Sequence, residues 1–329
     1  MILRPLLRFF VWTGLLVLLV LVTCYFSLLQ YAFSQALGFY RVRKDCVSLQ
    51  SLASKPEYSK KYMLIQKAFA FAAQEGLDTT EAYKWYLPFH PDHRLLVVSA
   101  STKSRIAAHT WHFPVLGSVP YKGFYERQLL LREIESLAID GFDTDTSEVE
   151  AWSALGWMSE ILSEQTLKKD DTTLTGILFH ELTHRRIYLY DAPDLNENLA
   201  QACGEFLNRK FWHLAEKQED KEAAFARMMC RLSRRGNRLY AACSDERSLY
   251  AARKLFICLS IDSVYESKLL TTQAKKRVAT RIGRSVNAYF SDYENYFSSK
   301  DSLENILMNT CKGKLPIFFA RFKKKSVTG

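Results

Sequence analysis

Between Leu174 and Cys203 the chain reads L-T-G-I-L-F-H-E-L-T-H-R-R-I-Y-L-Y-D-A-P-D-L-N-E-N-L-A-Q-A-C, and no other stretch constrains the fold as much. It holds His180-Glu181-Leu182-Thr183-His184, an H-E-x-x-H set, followed by Asn196-Glu197-Asn198-Leu199-Ala200. On a helix, two histidines four apart lie on one face, one turn apart. Both imidazoles can then reach one Zn²⁺ at about 2.0–2.1 Å. Glu181 follows His180 directly, so it points to the side of the pair and is placed to act on a metal-bound water rather than to ligate.

A catalytic zinc takes three protein ligands and keeps a fourth position for water. Glu197, 13 residues beyond His184, is the candidate third ligand. Asp191-Ala192-Pro193 breaks the pattern between them. Pro193 is expected to end the first helix and Asp194 to N-cap a second, which folds back to bring Glu197 to the metal. The competing reading is two exposed histidines on an amphipathic helix. The apolar Ile177-Leu178-Phe179 ahead of the set and the N-E-x-x-A after it favour the metal. Around these ligands, Tyr188 falls at i+4 from His184 and either shields the metal or packs as a core tyrosine. Asp191 can accept the other ring N–H of a ligating histidine. Asn196 can cap or orient Glu197. Arg185 and Arg186 are expected to face solvent or an acidic neighbour.

The stretch resembles the thermolysin-like zinc peptidases with two His and one Glu as ligands, the gluzincins. It is closer still to the bacterial family described as predicted aminopeptidases. That likeness extends upstream through Thr110-Trp-His-Phe-Pro-Val-Leu-Gly-Ser-Val-Pro-Tyr-Lys-Gly-Phe-Tyr125 and Ala151-Trp-Ser-Ala-Leu-Gly-Trp157, and covers roughly residues 30 to 210. It implies an α-rich α+β fold: a zincin-like domain with a small sheet over the active-site helix. It also implies a zinc-dependent metallopeptidase acting near a free N-terminus on a peptide substrate.

Tyr121, in the turn-rich Gly117–Gly123 loop, is then the candidate catalytic donor to the oxyanion. A tyrosine packed on the core is the alternative. Trp152 departs from the family pattern, where a tyrosine is expected. Glu160 is a minor candidate for binding the substrate ammonium, against a solvated surface role. Two other functions use the same residues: an endopeptidase or other amide hydrolase, and a non-catalytic envelope protein with a structural metal. A structural zinc is closed by four protein ligands, and the sequence offers three.

Phe9 to Leu29 is 21 residues without a charge, long enough for a bilayer-crossing helix of about 20 residues. Arg4 and Arg8 precede it; Arg41, Arg43 and Lys44 follow. The expectation is a single-pass anchor in a bacterial inner membrane, N-terminus inside, with the catalytic domain periplasmic. Cleavage after Ala32-Phe33-Ser34 or lipidation at Cys24 are alternatives.

Net charge is +10. From Arg209 onward 25 Lys+Arg face 12 Asp+Glu. These bases are spread over helical faces without a nucleic-acid motif, so a membrane-proximal or solvated surface is expected and no nucleic acid. Seven cysteines form no C-x-x-C pair, which argues against a cysteine zinc site.

Elsewhere, Arg94–Ala100 and Thr110–Leu116 are strand candidates, and Glu148–Leu155 an edge strand or loop. Thr79-Thr80-Glu81 reads as a helix cap, His90-Pro-Asp-His93 as a turn, and Lys122–Ile139 as an amphipathic helix. Beyond Cys203, helices are expected over Gly204–Lys217, Glu219–Ala242, Arg247–Ser260 and Thr272–Phe297, with interruptions at Gly236-Asn237 and Gly283. Arg321–Lys325 reads as a basic tail. The expected division is 1–29 anchor, 30–210 catalytic domain and 211–329 helical part.

Overall fold

The computed structural model describes residues 12, 26–90, 94–113, 117–149, 151–152, 161–214, 221–297 and 299–323. A helix over 26–45, α1, buries Ser34, Gly38 and Val42, one residue per turn. Gly38 is required there: a Cβ would overlap the Tyr125 ring. Strand β1 (Val47–Ser48), a 3₁₀ turn (Leu49–Ser54), α2 (Ser59–Gln74) and β2 (Trp85–Leu87) follow.

A second sheet centres on β3 (Leu95–Thr102), flanked by β6 (Lys122–Phe124) and β7 (Phe142–Val149). β4 (Trp111–Phe113) and β5 (Gly117–Val119) make a separate hairpin. The helix α3 (Arg127–Ile139) covers one face of the second sheet through Leu130 and Leu137, packed on Val98, Ala100 and Phe124. β8 (Ala151–Trp152) and β9 (Ile161–Ser163) complete the first sheet in the order β1-β2-β9-β8, with β2 and β9 parallel.

The remaining chain is helical: α4 (Glu164–Leu167), α5 (Asp171–Arg186), α6 (Pro193–Phe211), α7 (Lys221–Ala241), α8 (Glu246–Glu266), α9 (Thr272–Phe297), α10 (Lys300–Asn305) and α11 (Leu315–Lys323). One core joins both sides of position 210. Leu178, Phe179 and Leu182 of α5 pack with Leu303, Leu307, Leu315, Phe318 and Phe319 from the end of the chain. Arg321 to Lys323, expected in a loose tail, close α11. A second core lies among α7, α8 and α9, with Phe256 and Phe290 at its centre.

β7 pairs with β3 over their whole length, from Leu95↔Val149 to Thr102↔Phe142. Its sequence, F-D-T-D-T-S-E-V, carries no apolar alternation, because its Asp143 and Asp145 face α9 rather than a hydrophobic layer. α9 breaks its regular backbone at Ser285, not at Gly283. Asp145 accepts from the Ser285 hydroxyl, and Asp143 accepts from the Asn287 N–H, so β7 caps the second half of the helix. α7 runs unbroken through Gly236, which lies against Ile106 and Phe256. Lys122–Phe124, expected at the start of a helix, is strand β6. Thr79–Glu81 caps no helix; Glu81 and Tyr83 there take left-handed backbone.

The expected membrane anchor is corrected. Among the described residues no helix is long and apolar enough to cross a membrane. The described part of the Phe9–Leu29 run continues into α1, which buries a narrow stripe against the protein and carries Arg41, Arg43, Lys44 and Asp45 at its end. The fold class is therefore α+β and helix-rich with small sheets, with no transmembrane helix among the described residues, and the single-pass inner-membrane location is not carried forward. Residues 9–11 and 13–25, with Cys24, lie outside the described residues, as do 91–93, 114–116 and 153–160. The six described cysteines are all free.

Candidate metal centre

α5 begins at Asp170, whose carboxylate accepts from the Thr173 N–H at 2.9 Å. It stops at Arg186, where Ile187 turns extended, so the helix ends seven residues before Pro193. Pro193 instead opens α6, and Asp194 lies in its first turn rather than capping it. The turn between the helices is clamped by Asn196, fully within the core. Its Oδ1 accepts from the Leu189 N–H and its Nδ2 donates to the Leu189 carbonyl, both at 2.8 Å. At the opposite end, Thr175 Oγ1 donates to Asn208 Oδ1 at 2.6 Å and accepts from Trp212 Nε1 at 2.8 Å.

Between these pins the helices approach closely. A Cβ at Gly204 would lie 3.1 Å from the His180 backbone nitrogen. This contact sets Glu197 against the two histidines. His180 Nε2 and His184 Nε2 are 3.3 Å apart, and Glu197 Oε2 lies 3.4 Å from the first and 3.6 Å from the second. Donors at about 2.0–2.1 Å from a tetrahedral zinc are separated by about 3.3–3.4 Å along each edge. The three atoms thus form a triangle of the size of one tetrahedral face, and among the described residues this is the group that could hold a metal ion.

The electrostatics are consistent with a cation-binding seat. Burial raises the Glu197 carboxyl, but His184 and then His180 outweigh it and hold it at about 2. Glu197 therefore stays ionised although 7 % exposed. Tyr121, in the turn between β5 and β6, is partly buried; burial and then the charges of Glu197 and Glu181 push its hydroxyl well above the usual tyrosine range. Burial and Glu197 likewise raise Tyr188. Both tyrosines keep their protons across the physiological range.

Residues 41–327 match the model of the family described as Putative aminopeptidase. The chain belongs to that family. The family match takes in the C-terminal helices, well beyond the roughly 30–210 covered by the resemblance in the sequence. No curated protein and no solved structure matches the chain.

Within this family member, the residues singled out from sequence fall in different places. His180, His184 and Glu197 converge. Tyr121 and Tyr188 lie beside Glu197, although Tyr188 follows the end of α5 instead of continuing its ligand face. Asp191 is not one of the three clustered donors. It has left-handed backbone (φ 54°), accepts from the Ser118 N–H at 2.8 Å and lies 3.6 Å from His112 Nδ1, tying the β4–β5 hairpin to the interhelical turn. Asn196, next in sequence to Glu197, braces that turn. Glu160 lies outside the described residues, and of Trp152 only the strand backbone is described.

Sequence reasoning missed one contributor. Gly204 lets the helices meet, and its signal was a glycine inside a helical pattern. Arg185, expected to face solvent or an acidic neighbour, lies 3.7 Å from Asp78 and donates to the Thr80 carbonyl at 2.5 Å.

Proposed function

We propose that this protein is a zinc-dependent aminopeptidase acting on peptide substrates. Family membership supports a peptidase-like function, and the observation that carries the finer reading is the His180–His184–Glu197 triangle with edges of 3.3 to 3.6 Å. Two imidazoles and one carboxylate suit zinc among the divalent ions and leave a coordination position open. Zn²⁺ held by these three residues would supply Lewis-acid chemistry, polarising the scissile carbonyl and bringing the pKa of water towards neutrality.

The chain's own groups supply the rest. Glu181, next to His180 and partly exposed, takes the proton of the attacking water and passes it to the leaving amine. Tyr121 is kept protonated by burial and by the neighbouring Glu197 and Glu181, so it can donate to the oxyanion of the tetrahedral intermediate. Glu197, ionised in the folded chain, neutralises part of a bound cation's charge. Asn196 and Gly204 hold the two helices at the spacing that the triangle requires.

The test is Glu181→Gln in the full chain. Metal content should be unchanged and turnover of dipeptides lost. A variant that turns over at the wild-type rate would remove Glu181 from the chemistry and sink this reading.

A further inference from the structure

The candidate centre opens on one side. His180 keeps 17 % of its side chain exposed, whereas His184 keeps 4 % and Glu197 7 %. A cleft of about 400 Å³ lies on the His180 side, in the groove between α5 and α6. His180 and Glu181 form part of its wall, so an occupant sits against both. The volume is near the low end of the roughly 300–1,000 Å³ range of ligand sites, room for one large side chain with its backbone.

The walls select what can fill it. Gly176 and Gly204 leave the groove open, and Ile177, Ala223 of α7 and Phe297 of α9 give it apolar surface. Several of the polar groups along it are already engaged. Asn208 Oδ1 accepts from Thr175, and its Nδ2 donates to the Thr172 carbonyl at 3.0 Å. Gln201 Nε2 donates to Glu205 Oε1 at 2.7 Å, and the other Glu205 oxygen pairs with the buried Lys300. Arg209 lies 3.9 Å from the same oxygen. The remaining wall carboxylate, Glu181, is the proposed proton carrier. A charged side chain entering here would lose its water without gaining a partner. An apolar one gains by burial.

Resting on the peptidase reading above, we infer that this cleft receives the side chain of a residue flanking the scissile bond. It selects large, uncharged, apolar side chains such as Leu and Phe over Ala, Lys and Glu.

The test uses the full chain and two dipeptide series, X-Ala and Ala-X, with X as Ala, Leu, Phe, Lys or Glu. In one series kcat/KM for Leu and Phe should exceed that for the others by roughly 10- to 200-fold, the span over which apolar pockets discriminate. Ala223→Phe narrows the cleft from α7 and should bring that ratio towards one; Ala223→Leu serves if the larger side chain prevents folding. Equal rates across both series, a preference for Lys or Glu, or a ratio unmoved in folded variants would overturn the inference. If no peptide is cleaved, the peptidase reading falls on its own, and calorimetric binding of the same dipeptides decides the cleft. Tighter binding of the Phe and Leu members, weakened in the Ala223 variants, keeps it; equal or undetectable binding overturns it.

Discussion

The junction between β7 and α9 and the seat formed by α5 and α6 both take carboxylates out of water, by different means. In the junction each β7 carboxylate meets a cation of the chain. Arg253 donates to Asp143 at 2.6 Å, with the side chains 16 % and 10 % exposed, and Arg281 pairs with Asp145. In the seat, Glu197 converges with two histidines on one point, and one flank opens to a cleft. In the junction both β7 aspartates are paired with arginines, which hold the helical part against the sheet. The seat arranges three donors at the spacing of a ligand set and keeps a way in.

This contrast can be broken by substitutions on either side. The largest effect is expected at Glu181: Glu181→Gln should lower kcat by about 10²- to 10⁴-fold, the usual contribution of a general acid–base group, with stability and metal content unchanged. Steady-state kinetics beside metal analysis reads this. In the junction, Arg253→Ala strands the buried Asp143, and a loss of about 3 kcal/mol in urea unfolding is expected. Its metal content should stay at the wild-type level; loss of the metal would mean that the two regions are not separable.

Asn196→Ala lies between these cases. It removes both bonds to Leu189, and a loss of about 1–3 kcal/mol in unfolding free energy is expected. Because Glu197 is the next residue, metal affinity should also fall by roughly 10-fold, as for other groups that orient ligands. Chelator competition measures this, and an unchanged affinity would show that the turn does not position Glu197.

A further effect concerns pH. Burial, then the charge of Asp145, raise the Asp292 carboxyl from 3.8 to about 7. Between those values the folded chain holds a proton that the unfolded chain has released. Stability from this group is therefore present at the acid end and declines as pH rises towards 7. Asp292→Asn should flatten that slope in unfolding measured from pH 4 to 7; an identical slope would show that Asp292 does not carry it.

The sequence was most legible where local spacing determines the arrangement. Two histidines four apart on a helix must share a face, and a break followed by a second helix can bring a carboxylate back to them. The partners of Asp191 were not legible, since Ser118 and His112 meet it across more than seventy residues. Nor was β7, whose aspartates break strand alternation because they pair with arginines of α8 and α9 that lie over a hundred residues away. The apolar run at Phe9–Leu29 misled: its length satisfies a membrane span, yet among the described residues no helix is long and apolar enough to cross one.

The central claim is that His180, His184 and Glu197 together hold one metal ion. The most direct measurement is the metal content of the purified full chain beside its Glu197→Ala variant. The account predicts about one zinc per chain in the wild type, as for a single three-ligand site, and its loss in the variant. Metal retained by Glu197→Ala, or a wild type that binds none, would contradict it.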